Sequence, residues 1–199
     1  KDSMSGSFED LDVPPTLVSF AITGGDVKYV MTPELKEAGH TLVEFVLPKD
    51  EFYVYDFDAL KVQYDAIMDL MKAGKVYSAY TVKDGGIIEA VYKMAFGNAV
   101  GVELNNDLTL ETLVEKNYGN IIVEVENDDV VVLENTRIIG HTTHTNSIAY
   151  NNELLSLDEA YKVYADVLDD VYPTTAIAPT HEVMIKECNE RPVLKAAKT

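Results

Sequence analysis

The order in which strand-like and helix-like segments alternate most constrains how this chain can fold. Apolar, β-rich runs at 17–22, 41–47 and 76–82 predict strands. Amphipathic helices are predicted over 56–73 and 86–97. Because strands and helices interleave irregularly and a hairpin is expected near the end, the pattern predicts an α+β fold, with a mixed sheet and helices packed on it.

Local signals place further elements between and after these segments. A short strand is predicted at 27–31, and Thr32-Pro33-Glu34 resembles a helix start. Asn151-Asn152 suits a two-residue hairpin turn, because asparagine tolerates the left-handed conformation. The remaining predictions are strands at 100–104, 121–125 and 130–133, a short helix over 109–115 and a last helix capped by Ser156 or Asp158.

The charge and the cysteine content exclude several classes of function. The formal net charge is −18, from 16 basic and 34 acidic residues, and such a surface repels the phosphates of DNA and RNA. Cys188 is the single cysteine, which fits a reducing, cytoplasmic location. No apolar run approaches the roughly 20 residues that span a bilayer, and no signal peptide is visible. We therefore expect neither a nucleic-acid partner nor a membrane partner.

The stretch from Ala79 to Ala90 combines a strand, two glycines and the start of a helix. Glycines let backbone N–H groups approach an anion closely, and a helix N-terminus carries partial positive charge. Lys83 adds a full positive charge, and Asp84 is placed to cap the helix or to reach a metal ion held by phosphates. The same pattern also fits a tight turn that binds nothing. Phosphate binding here is therefore a hypothesis.

Four short segments stand out in order along the chain. They are Lys1-Asp2-Ser3-Met4-Ser5, Pro14-Pro15-Thr16-Leu17-Val18-Ser19-Phe20-Ala21, Lys83-Asp84-Gly85-Gly86 and Lys93-Met94-Ala95-Phe96-Gly97-Asn98. In this order they resemble segments of the large phosphoribosylformylglycinamidine synthases. There, the first segment ends the second ATP-binding-type domain, and the others belong to the aminoimidazole-ribonucleotide-synthetase-like C-terminal domain that follows it.

The resemblance implies an enzyme of de novo purine biosynthesis. Such an enzyme converts formylglycinamide ribonucleotide, glutamine and ATP to formylglycinamidine ribonucleotide, ADP, phosphate and glutamate. ATP phosphorylates the amide oxygen, and ammonia from a glutaminase part displaces the phosphate. This chain is expected to form one wall of a nucleotide or substrate cleft and to be inactive alone. ATP and magnesium are implied for the parent enzyme, whose remaining synthetase and glutaminase domains are the expected partners.

The resemblance also implies which residues bind nucleotide or phosphate, while no catalytic residue and no metal ligand is expected. Many relatives read His-Asp-x-Ser-Asp-Gly-Gly at this turn, with the first aspartate near magnesium. Here the histidine position holds Tyr80, and Thr81 offers no carboxylate, so metal contact from this wall is not expected. Lys83 is instead expected to neutralise phosphate through a direct salt bridge. The candidate binding residues are Thr81, Lys83, Asp84, Gly85, Gly86 and, in the first segment, Lys1.

The resemblance, together with a change in composition, predicts three segments separated by two boundaries. Residues 1–13 are expected to end the preceding ATP-binding-type domain, and 14–172 to form the synthetase C-terminal-like domain. The composition changes after Pro173, so 173–199 is expected to be a linker toward a glutaminase domain. Because the chain starts at Lys1 inside a polar run, we expect that it was cut from a longer protein.

Other interpretations stay open on the sequence alone. The chain would also suit the C-terminal domain of another aminoimidazole ribonucleotide synthetase superfamily enzyme, or a stand-alone interaction or scaffold domain. His141 and His144 are three residues apart on an expected loop, without the further ligands that zinc requires. His40 and His181 are isolated and are expected to be core or solvated residues.

Overall fold

The chain builds a seven-stranded mixed sheet in the structure, a computed structural model that describes residues 2–3, 6–127 and 134–173. The chain divides into two units, Lys1–Ala160 and Tyr161–Thr199, and the sheet belongs to the first. The α-helices are α1 (Phe57–Lys72), α2 (Gly86–Phe96), α3 (Leu110–Val114) and α4 (Leu157–Asp166), and a 3-10 helix covers Val27–Tyr29. The strands are β1 (Asp2–Ser3), β2 (Gly6–Phe8), β3 (Leu11–Val13), β4 (Thr16–Leu17), β5 (Thr41–Phe45), β6 (Val76–Thr81), β7 (Gly101–Leu104), β8 (Ile121–Val125), β9 (Thr136–Thr143), β10 (Ser147–Tyr150) and β11 (Glu153–Ser156).

The strand order across the large sheet is β11-β10-β7-β9-β5-β8-β6. Strands β7 and β10 pair in parallel, whereas the other neighbours in this sheet are antiparallel. Strands β1 and β4, and β2 and β3, form two separate two-stranded sheets. The prediction of an α+β fold with a mixed sheet is confirmed.

Helices cover both faces of the sheet. Leu42 and Ile122 lie on one face and pack in a core with α2. Val43 and Val123 lie on the other face, where Ile67 of α1 contacts them. All five residues of β5 are buried, because a strand that is covered on both faces has no solvent side.

The elements with strong local signals form as predicted. Asp56 caps α1 by accepting hydrogen bonds from two backbone N–H groups, and Gly74 follows the helix with φ +71°. Helix α2 buries the predicted apolar face. Asn151 and Asn152 form the hairpin turn with φ +47° and +66°. In α4, the Glu159 N–H donates to Ser156 Oγ at 3.4 Å, consistent with a cap at Ser156.

The segment between β4 and β5 departs most from the prediction. The strand predicted at 17–22 is wrong, since only Thr16–Leu17 is a strand and Ile22 is 90% exposed. The strand predicted at 27–31 is instead a 3-10 helix, and no helix begins at Thr32. An apolar run predicts burial, but the described part of the chain provides no surface that covers this one.

Strand β9 was not predicted, although it is the fourth of seven strands in the sheet. Its sequence contains Arg137 and Gly140, which weaken the alternating apolar signal. Gly140 is needed because a Cβ there would lie 2.3 Å from the carbonyl oxygen of Glu103 on β7.

None of the described helices is both long and apolar enough to cross a bilayer. The strand predicted at 130–133, the candidates Lys1, His181 and Cys188, and nearly all of the expected linker lie outside the described residues.

Helix α3 offers a matched test of the core. Leu113 is 3% exposed and packs against α2, whereas Leu110 of the same helix is 70% exposed. We expect Leu113→Ala to lower the free energy of unfolding by about 2–4 kcal/mol. Leu110→Ala should change it by less than about 0.5 kcal/mol. Urea unfolding followed by circular dichroism measures both, and equal losses would contradict this packing.

Candidate functional site

The turn between β6 and α2 gathers most of the predicted site residues. Strand β6 is one of the two edge strands of the seven-stranded sheet and pairs with β8 on one side. Its polar side chains are exposed, whereas Gly86 is buried. Lys1 lies outside the described residues, so the structure does not place it. The predicted residues that lie together here are Thr81, Lys83, Asp84, Gly85 and Gly86.

Gly86 has a structural reason to be glycine. Its φ is +72°, and its N–H donates to the Lys83 carbonyl oxygen at 3.1 Å. A Cβ at this position would lie 2.5 Å from the carbonyl oxygen of Leu113 in α3. Only glycine combines this backbone conformation with so close an approach to another helix. The second glycine of the pair therefore allows the turn to pack against α3.

Gly85 is the N-cap residue of α2, and it has no side chain to cap the helix. Its N–H donates to Glu89 Oε2 at 2.8 Å, and the Lys93 ammonium group donates to the other oxygen of the same carboxylate. These contacts, first of all the one with Lys93, lower the pKa of Glu89. The N–H groups of Gly85 and Gly86 thus both have acceptors within the turn and α2. An incoming anion would meet the lysine side chains instead.

Asp84 ties the turn to the loop that precedes β8. The Tyr118 hydroxyl donates a hydrogen bond to Asp84 Oδ1, and Lys116 Nζ lies 3.6 Å from the same oxygen. The hydrogen bond from Tyr118 lowers the pKa of Asp84, and the Asp84 carboxylate raises the pKa of Tyr118. Asp84 does not cap α2, which was one of its two expected roles.

Three lysines surround this turn and the neighbouring loop. Lys83 Nζ lies 5.1 Å from the centre of the Tyr80 ring, a cation–π contact, and Lys116 lies beside Asp84. Lys49 Nζ donates to Asn117 Oδ1 at 3.0 Å. Lys49 and Lys116 were not predicted, because they are more than 30 residues from the turn in sequence. The antiparallel pairing of β6 with β8 brings the loop of Lys116 to the turn.

The side chains at the turn do not fit a magnesium site. Thr81 has no carboxylate, and Asp84 already contacts Tyr118 and Lys116. Within the described residues, no group of three or more His, Cys, Asp or Glu side chains comes together in an arrangement that could hold a metal ion. The described side chains at this turn therefore lack the ligand set that magnesium requires.

His40 and His141 occupy structural positions. His40 is buried, with Nδ1 2.8 Å from Glu124 Oε1, which confirms the expectation that it is a core or solvated residue. His141 lies on β9 and not on a loop, so that prediction was wrong, and its Nδ1 is 3.2 Å from Thr41 Oγ1.

Solved structures of PurL from Thermotoga maritima share this fold. The structure complexed with FGAR superposes with a TM-score of 0.54 and 14% identity, over 67% of this chain and 29% of that one. The structure complexed with ADP gives a TM-score of 0.54 and 14% identity, over 85% of this chain and 32% of that one. The expected fold, a mixed sheet like that of the aminoimidazole ribonucleotide synthetase C-terminal domain, is confirmed.

Sequence relatives carry the same name. Phosphoribosylformylglycinamidine synthase subunit PurL of Limosilactobacillus fermentum is 27% identical over 96 residues, which cover 46% of this chain and 13% of that protein. The PurL subunit of Lactobacillus delbrueckii subsp. bulgaricus is 30% identical over 73 residues, 37% of this chain and 10% of that protein. No family model matches. The resemblance predicted from the four segments is confirmed, over a region that spans only a small part of these relatives.

Substitution of Gly86 tests the structural role of the glycine pair. We expect Gly86→Ala to lower the free energy of unfolding by at least about 2 kcal/mol, from the left-handed backbone and the contact with α3. Gly24→Ala is the matched control, because an added Cβ there has no atom within 4 Å and φ is not positive. Thermal unfolding compares the two, and an unchanged midpoint for Gly86→Ala would refute the described packing.

The hydrogen bond between Tyr118 and Asp84 predicts a pH effect. Because the folded pKa of Asp84 is lowered, its stabilising contribution is present above the unfolded pKa and is lost as pH falls through the folded pKa. Tyr118→Phe should raise the pKa of Asp84 toward its ordinary value, as measured by NMR titration of the carboxyl carbon. Tyr64→Phe, which removes a hydroxyl bonded to the Gly119 carbonyl, should leave it unchanged. A pKa of Asp84 that is the same in the Tyr118→Phe variant would show that this bond does not form in solution.

Proposed function

We propose that this chain forms a phosphate-binding wall of an ATP-dependent amidoligase of the phosphoribosylformylglycinamidine synthase type. Two lines support the proposal: the PurL name of the sequence relatives and the shared fold of the T. maritima structures. The aligned regions span 10–13% of the sequence relatives, so the rest of the catalytic machinery is proposed to lie elsewhere in the enzyme. We expect no turnover by this chain alone.

The proposed reaction converts an amide to an amidine, with ammonia as the nitrogen source and ATP as the phosphate donor. ATP phosphorylates the amide oxygen of formylglycinamide ribonucleotide and leaves as ADP. Ammonia, released from glutamine by a glutaminase part, then displaces phosphate to give formylglycinamidine ribonucleotide. In this proposal residues 1–13 end the preceding domain, 14–172 form the synthetase C-terminal-like domain and 173–199 lead toward the glutaminase part. A cytoplasmic location and a magnesium ion held by other parts of the enzyme belong to the same proposal.

The observation that carries this function is the pair of exposed lysines, Lys83 and Lys116, at the turn. Lys83 and Lys116 are exposed, and a lysine ammonium group can pair with phosphate oxygens as a point charge. Where relatives hold phosphate through a metal-bound aspartate, Lys83 supplies the positive charge directly. Asp84 keeps Lys116 beside the turn, so the two cations act on the same ligand group. The role of this chain is therefore to bind and orient phosphate.

A second candidate function is an interaction domain that binds no nucleotide. The observation in its favour is the exposed apolar segment that includes Leu17, Phe20 and Ile22. Such surfaces mark contacts with other domains or proteins. Direct nucleotide binding separates the two candidates, because an interaction domain has no need of it.

Lys83 is the residue to substitute in the whole protein that contains this chain. With ammonia or glutamine as nitrogen source, Lys83→Ala should raise the KM for ATP about tenfold, the loss of one charged contact to phosphate. Lys61→Ala, an exposed lysine on α1, is the matched control and should leave the KM unchanged. Equal KM values for the wild type and Lys83→Ala would remove the turn from the proposal. Absence of formylglycinamidine ribonucleotide synthesis by the wild type would end the proposal altogether.

A further inference from the structure

Arg137 lies in the same cross-strand row of residues as Tyr80, close to the candidate turn. Cross-strand pairing aligns Tyr80, Ile122, Glu44 and Arg137 across β6, β8, β5 and β9. Lys83 lies over the Tyr80 ring at one end of this row. Neighbouring strands are about 4.8 Å apart, so three spacings separate the backbones of Tyr80 and Arg137 by roughly 14 Å. A cationic side chain therefore lies at each end of this row, Lys83 at one end and Arg137 at the other.

Glu44 holds Arg137 from inside the protein. The Glu44 side chain is fully buried, and its Oε2 accepts a hydrogen bond from Arg137 Nε at 2.5 Å. Its Oε1 accepts from Asn120 Nδ2 at 2.7 Å. A carboxylate taken out of water is stable only when it is paired and hydrogen-bonded, and both oxygens of Glu44 meet that condition. The position of Arg137 is therefore set by a contact that solvent does not reach.

The outer part of Arg137 is accessible. Its side chain is 34% exposed, and Nε accounts for one of the five N–H donors of a guanidinium group. Within the described part of the chain, the terminal guanidinium nitrogens have no hydrogen-bond acceptor. A guanidinium held by Nε presents its other donors as a planar fork, the geometry that suits phosphate oxygens.

Asn120 connects this arginine to the glycine turn. Its side-chain Oδ1 accepts from the Leu47 N–H at 2.9 Å, while Nδ2 donates to Glu44. Its backbone oxygen accepts from the Val82 N–H at 2.9 Å, directly before the turn. One buried residue thus links the ends of β5 and β6 to the pair formed by Glu44 and Arg137. Displacing Glu44 would disturb both cationic ends of the row.

We propose that Arg137 is a second anion-binding position at the same end of the strands as the turn, that it takes a phosphate group, and that Glu44 is its positioning residue. This inference rests on the proposed function for the nature of the ligand, since such an enzyme handles phosphate on a nucleotide and on a ribonucleotide. Both sources present the same oxygens to a guanidinium group. A purely structural ion pair would neutralise Glu44 and bind nothing.

The side-chain NMR signals of arginine test the proposal in the full chain. The sequence has two arginines, Arg137 and Arg191, so an Arg191→Lys variant identifies the Nε–H signal of Arg137. We titrate the nitrogen-15-labelled chain with ADP and, separately, with ribose 5-phosphate. The Arg137 signal should shift saturably with at least one probe, and the probe that acts identifies the source of the phosphate. A signal that stays in place with both probes at about 10 mM overturns the proposal, since even weak phosphate binding saturates there.

Two variants separate binding from positioning. Arg137→Gln removes the charge and should lower the affinity for the active probe at least about tenfold, as measured by calorimetry. Glu44→Gln keeps an acceptor for Asn120 but loses the ion pair, and it should lower the affinity for the same probe about fivefold. The thermal midpoint of this variant is measured in parallel. Unchanged affinity in Arg137→Gln sinks the site, and unchanged affinity in Glu44→Gln sinks the positioning role.

The Lys83→Ala variant separates binding at Arg137 from binding at the turn. If Lys83→Ala abolishes ADP binding while the Arg137 signal never responds in the wild type, the proposed turn survives and the Arg137 site falls. If the Arg137 signal responds and Lys83→Ala binds ADP as the wild type does, the Arg137 site survives and the turn falls.

Discussion

Two carboxylates buried in neighbouring strands hold the loops at opposite ends of the strands. Glu124 accepts from the Lys36 N–H at 3.1 and 3.0 Å, and it also contacts His40 and Ser78, so it anchors the segment before β5. Glu44 accepts from Asn120 and Arg137, and it anchors the loops at the other end of the strands. Because burying an unpaired charge costs several kcal/mol, each carboxylate requires its loop to return to the same place.

This arrangement changes how the glycine pair is interpreted. In sequence, two glycines before a helix predict backbone N–H groups that face an anion. In the structure, Gly86 allows contact with α3, and Glu89 accepts the N–H of Gly85. Positive charge at this edge comes instead from lysine side chains on separate loops. Lys116 reaches the turn because β8 pairs with β6.

Elements that depend on signals within a few residues were predicted correctly, whereas elements that depend on residues far away in sequence were not. Helices α1 and α2 and the asparagine hairpin were predictable, since caps, periodicity and turn residues act within a few positions. Strand β9 was missed because Gly140 and the polar residues around it suit pairing with β5 and β7, which lie far away in sequence. The apolar segment at 17–22 was wrongly predicted to be buried, because hydrophobicity indicates that a surface needs a cover without indicating which one.

The sequence by itself determined the fold class, the two main helices, the glycine turn and the resemblance to phosphoribosylformylglycinamidine synthases. Each depends on residues that are close together in the chain or on motifs read directly from it. Only the tertiary structure decided that Glu44 holds Arg137, that Tyr118 holds Asp84, and that both contacts lie at the same end of the strands. These pairs join residues 93 and 34 positions apart. Strand pairing brings them together, and no local pattern encodes which distant strands will pair.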